Sequence, residues 1–505
     1  MPEFNYLREV RPGIFHLSHQ LRPEVRAMFC AMASRIPVGG IQQRYREVVG
    51  AIEEDMRLNS LFSGTDAAYR WRAEVQLTGE GPLPGPVQKF FDTHVGKYGH
   101  SSVLELTGDP AIFVEGCSWY AAWLAFDSPL CAGQEMSTRA IRRKDWPMCR
   151  EIEHLATEPQ HAELYERIQE NHQTWMGIFN NEVEAWKQQF SSPEVREMYG
   201  IQDKEPFRPA LDRARWALPG SIATAFSQTG NLRERSRAIH LALTAAASES
   251  TEAGSKLWQH VFDAYEQAMP GMKGLGLREA VYSGDRLQAM PSHLCHPSAV
   301  PSAQEVWVRL RGVDSIRLEE MQPYKRQPKQ YADPILNRLS VDFRVQCSLA
   351  VSRDWHRHRT FMPWSLSPQF RHGEQTEDLA IALHPAYESI TLVSSSVEGL
   401  LRSTAQLWQD VSSELGTYMA MLVLPFGTSC TMRGSAGLRD FLYAMELRAH
   451  AHGANFEYKK QALEALEQLR LEVGLELELG VTIARALYPA AEPVSGPPLS
   501  LHKKE

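Results

Sequence analysis

The sequence has few cysteines, and their arrangement excludes two common uses of this residue. The seven are Cys30, Cys117, Cys131, Cys149, Cys295, Cys347 and Cys430. Their number is odd, and no two of them form a Cys-x-x-Cys pair. This pattern argues against a disulfide framework and against a zinc ribbon, and it is typical of a reducing compartment. We therefore expect a cytoplasmic protein.

Long apolar runs and an excess of positive charge are also lacking. No stretch approaches the roughly 18 apolar residues of a membrane span, and the N-terminal residues lack the basic-then-apolar pattern of a secretion signal. The net charge is -8 and the isoelectric point is about 6.2. An acidic chain is a poor non-specific binder of nucleic acid. We therefore expect no membrane partner, no direct nucleic-acid partner and only local anion sites.

Apolar periodicity predicts helices and strands along most of the 505 residues. In the first part we predict amphipathic helices, a strand that runs into a buried helix, and a pair of helices. These cover 22–35, 41–57, 110–126 and 218–247. In the second part, 305–313 and 340–351 alternate as strands do.

A stretch rich in proline, serine and histidine at 283–304 is the clearest linker in the chain. Around it we predict an N-terminal half, a linker, a C-terminal half and a disordered tail. Their bounds are 1–290, 291–305, 306–490 and 491–505.

Recurring landmarks suggest that the two parts are copies. Phe113 and Phe343 each head an apolar run that contains Cys-Ser, and they are 230 residues apart. Leu-Pro occurs at Leu218 and again at Leu424, 206 residues later. One length change between the landmarks accounts for both offsets, so the sequence suggests an internal repeat of low identity.

The densest charged stretch is Ser-Arg-Asp-Trp-His-Arg-His-Arg-Thr at 352–360. On a strand, His356 and His358 would share one face and could bind a metal, with Asp354 as a third ligand. A solvated basic surface is a second interpretation. We favour a third, a phosphate or pyrophosphate site, because guanidinium forks match phosphate oxygens and flanking rings can stack on a planar ligand.

A second candidate lies at 131–144, where Glu135, Ser137 and Arg139 alternate and would point the same way on an extended segment. Glutamate can accept from a base N–H, while serine and arginine can hold a phosphate, so the set suits a nucleotide monophosphate. The alternative is a helix N-terminus capped by Ser137 or Thr138.

The first of these stretches resembles the start of the signature of flavin-dependent thymidylate synthases. That signature has Arg-His-Arg, a short gap, a serine, and then Asn/Gln-Glu-x-Ser-x-Arg. The C-terminal half supplies Arg357, His358 and Arg359, but it keeps only Ser367 of the remainder.

The N-terminal half keeps the part of the signature that the C-terminal half has lost. Its segment Gln-Glu-Met-Ser-Thr-Arg at 134–139 fits the rest of the signature in full, while Asp127-Ser128-Pro129 stands in place of Arg-His-Arg. In this family each active site forms between subunits, so complementary losses in a fused tandem would leave one composite site. The resemblance thus implies two tandem α+β halves, each a twisted sheet with packed helices, that form a pseudo-dimer. Because the family is tetrameric, we expect a homodimer of pseudo-dimers.

The resemblance also implies which residues bind the nucleotide and the flavin. The substrate-binding positions are Gln134, Glu135, Ser137, Thr138, Arg139, Arg215, Arg357 and Arg448. The cofactor-binding positions are His100, Ser102, Glu105, Asn231, Arg233, Arg357, His358, Arg359, Arg439 and His452. Arg448 would stabilise negative charge at the pyrimidine carbonyl, and Ser137 would orient the ring without acting as a nucleophile.

The chemistry implied is C5 methylation of a pyrimidine nucleotide, with dUMP converted to dTMP by default. The cofactor is FAD, methylenetetrahydrofolate and NADPH are cosubstrates, and no metal is expected. Asp354 departs from the family, which has a glutamine near the phosphate; a carboxylate there repels phosphate, so the substrate or its pose can differ. The alternatives are a diverged flavin or folate enzyme acting on another nucleotide, a catalytically silent flavin- or nucleotide-binding protein, and a metal-dependent hydrolase.

Overall fold

A computed structural model divides the chain into two compact units, each built from two segments. Unit 1 comprises Met1–Ala162 and Ser221–Gly284, and unit 2 comprises Glu163–Gly220 and Asp285–Glu505. Segment 163–220 groups with the second unit, which differs from contiguous halves; the predicted bounds of the halves, linker and tail remain predictions. The described residues are 6–58, 73–75, 77–79, 83–97, 103, 106, 111–126, 130–139, 141, 145–199, 201, 205–230, 305–312, 337–358, 360–372, 379–388, 397–450 and 455–476.

The described part is an α+β structure, as predicted, with antiparallel sheets and packed helices. The strands are β1 Leu7–Arg11, β2 Ile14–Leu17, β3 Ala111–Cys117, β4 Ala132–Glu135, β5 Thr224–Thr229, β6 Val306–Arg311, β7 Ser340–Ser348, β8 Met362–Pro368, β9 Phe370–His372, β10 Leu379–Ile381 and β11 Ser429–Gly437. The helices are α1 Pro23–Met32, α2 Ile41–Leu58, α3 Gly85–Phe91, α4 Trp119–Ala125, α5 Arg150–Leu155, α6 Ala162–Gln189, α7 Pro193–Met198, α8 Phe207–Ala214, α9 Leu349–His356, α10 Pro385–Glu388, α11 Val397–Leu415, α12 Thr417–Leu422, α13 Leu438–His450 and α14 Phe456–Glu476. No helix within these ranges is both long and apolar enough to cross a bilayer.

Unit 1 is organised around a five-stranded antiparallel sheet in the order β1-β2-β3-β5-β4. Strand β3 is buried on both faces, because its alternate side chains enter two different apolar clusters. Phe113 packs with Phe29 of α1 in one cluster, with ring centres 5.0 Å apart, and Val114 packs near α4 in the other. Burial on two faces explains why this strand is an unbroken apolar run in the sequence.

Unit 2 contains a four-stranded antiparallel sheet in the order β6-β7-β11-β8 and a separate pair, β9 with β10. Strand β7 alternates between buried Val341, Phe343 and Val345 and half-buried polar residues. One face of the sheet is therefore apolar, and Phe343 on that face stacks on Trp355 of α9 with ring centres 5.5 Å apart. Trp355 is fully buried, and its indole N–H donates to Gln461 Oε1 of α14 at 2.9 Å.

The two Leu-Pro landmarks meet within unit 2. Pro219 and Pro425 form an antiparallel bridge. Gly220 N donates to Leu424 O at 2.8 Å, and Phe426 N donates to Leu218 O at 2.9 Å. These bonds satisfy backbone groups of two buried turns that are about 200 residues apart in the chain.

Most predicted elements are confirmed, and one is wrong. Helices α1 and α2, the β3–α4 succession, and strands β6 and β7 occupy the predicted stretches. The helix pair predicted for 218–247 is wrong where the structure describes it, because Thr224–Thr229 is the strand β5. All six residues of β5 are buried, and the strand pairs with β3 and β4, so sheet pairing overrides the local preference of this alanine- and serine-containing stretch.

Candidate functional site

Three charged residues of unit 2 form one ion-paired group. Arg215 Nη2 lies 2.8 Å from Asp354 Oδ2, and Arg357 Nη1 lies 3.5 Å from Asp354 Oδ1. The Arg215 and Asp354 side chains are 2% and 6% exposed, whereas that of Arg357 is 34% exposed. One carboxylate is thus held between a buried guanidinium and a half-exposed one, and the group carries one net positive charge.

The Asp354 carboxylate stabilises the charged form of Arg215. Burial by itself disfavours a charged guanidinium, but the Asp354 carboxylate outweighs it and raises the pKa of Arg215 above its ordinary value. Arg215 Nε is also buried and has no hydrogen-bond partner within the described part of the chain. Arg215 is therefore a permanently charged residue that retains one unused donor.

A second contact adjoins this group. Arg448 Nε donates to His358 Nε2 at 3.3 Å, and the guanidinium carbon of Arg448 lies 5.4 Å from the centre of the Tyr458 ring. Arginine can only donate, so Nε2 of His358 is the acceptor in this contact. Burial raises the pKa of Tyr458, and nearby Arg448 only partly offsets this. The phenol is therefore a neutral, flat support beneath Arg448.

Helix α9 sets the positions of Asp354 and Arg357. Ser348 caps the helix by accepting from Val351 N at 3.2 Å, and its own N–H and hydroxyl donate to the fully buried carboxylate of Glu457. The helix ends at His356, and Arg357 N still donates to Arg353 O at 3.2 Å. Residues 354 and 357 are one helical turn apart, so both side chains reach the same side.

The structure corrects the metal interpretation of this stretch. That interpretation placed His356 and His358 on one face of a strand, but His356 is the last residue of helix α9 and is buried. The spacing argument for two adjacent ligands is therefore wrong. Within the described ranges, no group of three or more histidine, cysteine, aspartate or glutamate side chains is arranged to hold a metal ion.

The second candidate segment, 134–139, lies in unit 1. Gln134 and Glu135 end strand β4, Glu135 is 7% exposed, and Thr224 donates to its Oε1 at 3.4 Å. The predicted alternation does not continue in extended form, because Ser137 Oγ accepts from Arg139 N at 3.3 Å within a turn.

Residues 138 and 139 form that turn, so the alternative of a helix capped at Ser137 or Thr138 is not seen in the described residues. Thr138 is buried, and Arg139 is half-buried.

Of the remaining residues predicted to bind the cofactor, the structure describes only Arg439. Arg439 is exposed in the first turn of α13, next to Asp440. Burial raises the pKa of Asp440, and the neighbouring Arg439 acts against that shift. His100, Ser102, Glu105, Asn231, Arg233, Arg359 and His452 lie outside the described residues.

Sequence reasoning missed Tyr458 and the pairing of Asp354. Tyr458 belongs to α14, whose sequence has an ordinary helical pattern and no motif. Asp354 and Arg215 are 139 residues apart, and no local sequence pattern predicts that they form an ion pair. The arrangement of unit 2 joins guanidinium donors, an imidazole and aromatic rings. Such a set suits a ligand that combines a planar ring with an anionic group.

Part of the chain matches a known protein family. Residues 314–473 match the family model described as thymidylate synthase complementing protein. The matched segment includes Asp354, Arg357, His358 and Arg448, and it covers less than half of the chain. No curated protein matches the sequence. The C-terminal part is therefore similar to that family, as its Arg-His-Arg segment suggested.

Proposed function

We propose that the chain is a flavin-dependent methyltransferase that converts dUMP to dTMP, with methylenetetrahydrofolate as carbon donor and NADPH as reductant. The site draws on residues of both tandem halves, with Gln134, Glu135, Ser137, Thr138 and Arg139 from the first. The match of residues 314–473 supports the family for the C-terminal part. The substrate, the cosubstrates and the composite site go beyond this match and are proposed here.

One observation carries the proposal. Four residues assigned to one site from three separate stretches of sequence lie in two adjoining contacts of unit 2. Arg215 and Arg357 share Asp354, and the next residue, His358, contacts Arg448. A scattered set of surface arginines would not converge in this way.

The residues present fit the cofactor class by their chemistry. Arg357 and His358 offer a guanidinium fork and a ring beside the aromatic cluster of Phe361 and Tyr458, with His358–Phe361 ring centres 5.4 Å apart. Such a set can hold the phosphates and the planar ring of FAD, which supplies the hydride when bound.

The chain's own residues place and polarise the substrate. Arg448, held by His358 and by the ring of Tyr458, would donate to a pyrimidine carbonyl oxygen and stabilise negative charge there as C5 becomes nucleophilic. Arg215 and Arg357 would hold the anionic end of the nucleotide, and Ser137 would orient the ring.

The tandem arrangement is supported by the topology of each sheet considered separately. The order β2-β3-β5-β4 in unit 1 and the order β6-β7-β11-β8 in unit 2 are the same antiparallel pattern. Cys117 lies opposite Thr224, and Cys347 lies opposite Cys430. The offsets between these pairs are 230 and 206 residues, the same as those of the sequence landmarks.

The capping contacts at the start of the helix that follows β3 in unit 1 and β7 in unit 2 are also alike. In unit 1, Ser118 Oγ accepts from Ala121 N at 3.1 Å, and Ser118 N donates to Glu151. In unit 2, Ser348 makes the equivalent contacts with Val351 and Glu457. A shared strand order, register and cap are what duplication of one ancestral unit would leave.

A second candidate, a diverged enzyme acting on a different nucleotide, is favoured by Asp354. Its carboxylate already pairs with both arginines that would hold a phosphate, so a dianionic ligand must compete with it. A less charged pyrimidine ligand would meet no such competition.

The first test is the visible absorption spectrum of the purified protein after FAD is added and the excess removed, repeated with dUMP. Retained flavin with a dUMP-dependent shift supports the proposal, and release of tritium from C5-labelled dUMP then tests the chemistry. Retained flavin that responds to another pyrimidine nucleotide but not to dUMP favours the second candidate. A colourless protein contradicts both and leaves a silent nucleotide-binding protein.

A matched pair of variants sharpens this test. Arg448→Lys keeps the charge but loses the fork that donates to His358, so we expect C5 exchange to fall at least tenfold while the fold persists. Arg402→Lys, at an exposed arginine of helix α11, is the control and should leave exchange unchanged. Equal rates in the two variants would remove Arg448 from the proposed site.

A further inference from the structure

The outer face of the β6-β7-β11-β8 sheet carries a group of arginines unlike the rest of this acidic chain. Arg309 and Arg433 are exposed, and Arg344 is half-buried. Within the part of the chain that the structure describes, none of the three forms an ion pair or a side-chain hydrogen bond. Among the described residues, the face therefore carries three arginines that have no ion-pair partner, in a chain of net charge -8.

The register of the strands places these charges side by side. Arg344 of β7 lies directly opposite Arg433 of β11, and on its other side it lies opposite Trp307 of β6. Adjacent strands are about 4.8 Å apart, so the row from Trp307 to Arg433 spans about 10 Å. Like charges in directly opposed positions destabilise a sheet, so the protein gains nothing in stability from this pair.

The remaining charged residues of the face do not neutralise it. Asp342, opposite Arg309, is paired with Arg311. Trp307 is 36% exposed, which is unusual for a tryptophan on a sheet whose other face buries Val306 and Val308. A sheet face that presents a row of arginines and an exposed aromatic ring is a surface platform, which differs from the mostly apolar lining of a small-molecule pocket.

From these observations we propose that this sheet face binds single-stranded nucleic acid. The arginines would contact successive phosphates, and a base would stack on Trp307, because sequence-independent single-strand binding combines a positive track with an aromatic platform. The acidic net charge of the chain excludes a general affinity for polyanions, but it does not exclude a local one. Binding at this sheet face would not require the flavin chemistry.

The experiment is fluorescence anisotropy of a labelled single-stranded oligothymidylate with the full chain, over a series of salt concentrations. We expect an association constant whose logarithm falls linearly with the logarithm of the salt concentration. Trp307→Ala should weaken binding by about tenfold, because the base can no longer stack. The double variant Arg344→Ser/Arg433→Ser should weaken it comparably and lower the salt slope by about 0.7 for each phosphate that is no longer neutralised.

Two controls separate binding from folding and from bulk charge. Arg402→Ser removes one exposed positive charge from helix α11 and should bind nearly as the unchanged protein does. Arg433→Ser should raise the thermal midpoint while it lowers affinity, since it relieves the Arg344–Arg433 repulsion. No binding by the unchanged chain at low salt, or an equal loss in Arg402→Ser and the double variant, would overturn the proposal.

Discussion

Replacing Asp354 by asparagine should destabilise unit 2 far more than an ordinary surface mutation does. Arg215 is 2% exposed, its Nε has no partner within the described residues, and Asp354 is its counter-ion at 2.8 Å. Removing one member of a buried pair leaves an uncompensated charge and costs about 3–5 kcal/mol. Asparagine still accepts one hydrogen bond, so we expect the low end, about 3 kcal/mol, and a thermal midpoint about 6–12 °C lower.

The matched control is the exposed pair Arg167–Asp410 of the same unit, with side chains 41% and 35% exposed. Asp410→Asn should cost about 0–1 kcal/mol, as exposed pairs do. Thermal and denaturant unfolding of both variants gives the comparison. The double variant Arg215→Met/Asp354→Leu should recover most of the loss, because apolar replacement of a whole buried pair is often neutral. If Asp354→Asn costs no more than Asp410→Asn, the assignment of Arg215 as a buried, carboxylate-dependent charge is refuted.

Two further predictions concern pH and backbone packing. Burial raises the pKa of Glu115 to about 7 although Gly39 N–H donates to it, so the folded state holds this proton more tightly than the unfolded state does. The free energy of unfolding should therefore fall as pH rises from about 4.5 to 7. Glu115→Gln should make the thermal midpoint less dependent on pH over that window, and an unchanged pH dependence in this variant would contradict the shift. In unit 2, Gly427→Ala should cost about 2 kcal/mol in urea unfolding, because the new Cβ would lie 2.8 Å from Trp216 Cβ and 2.9 Å from Trp216 O. Its control Gly399→Ala, with open space in an exposed helix turn, should instead gain about 1 kcal/mol; two losses of equal size would mean that crowding is not the cause.

Strands and helices with a clear period were predictable from the sequence. Strand β6 alternates buried Val306 and Val308 with exposed Trp307 and Arg309, and helix α2 carries an apolar stripe. Strand β5 was not predictable, because Thr-Ala-Phe-Ser-Gln-Thr has no period once both faces are buried. The side-chain bond from Ser227 Oγ to Cys30 O, at 2.8 Å across 197 residues, belongs to tertiary structure alone.

The candidate site also has features that the sequence predicted and features that it could not predict. Arginine and histidine at 357 and 358 indicated an anion and ring site from their residue types, whereas Arg448 was assigned only through the family resemblance. The strand assumed for His356 was wrong although a signal was present: Ser348 opens a helix by capping Val351. The counter-ion role of Asp354 could not be read at all, because it requires the approach of Arg215 from a distant segment.

The bridge between the two Leu-Pro turns has a consequence for synthesis on the ribosome. Leu218 and Gly220 cannot form these backbone bonds until Leu424 and Phe426 have emerged, so unit 2 cannot close while its first segment is being made. Joining points about 200 residues apart costs about 5 kcal/mol of chain entropy, to be recovered late by the surrounding core. A fragment that starts at residue 306 would lack the Leu218–Gly220 side of this bridge. We therefore expect that the two segments of unit 2 do not fold as separate pieces, and that Glu163–Gly220 completes its packing only after the later segment has been synthesised.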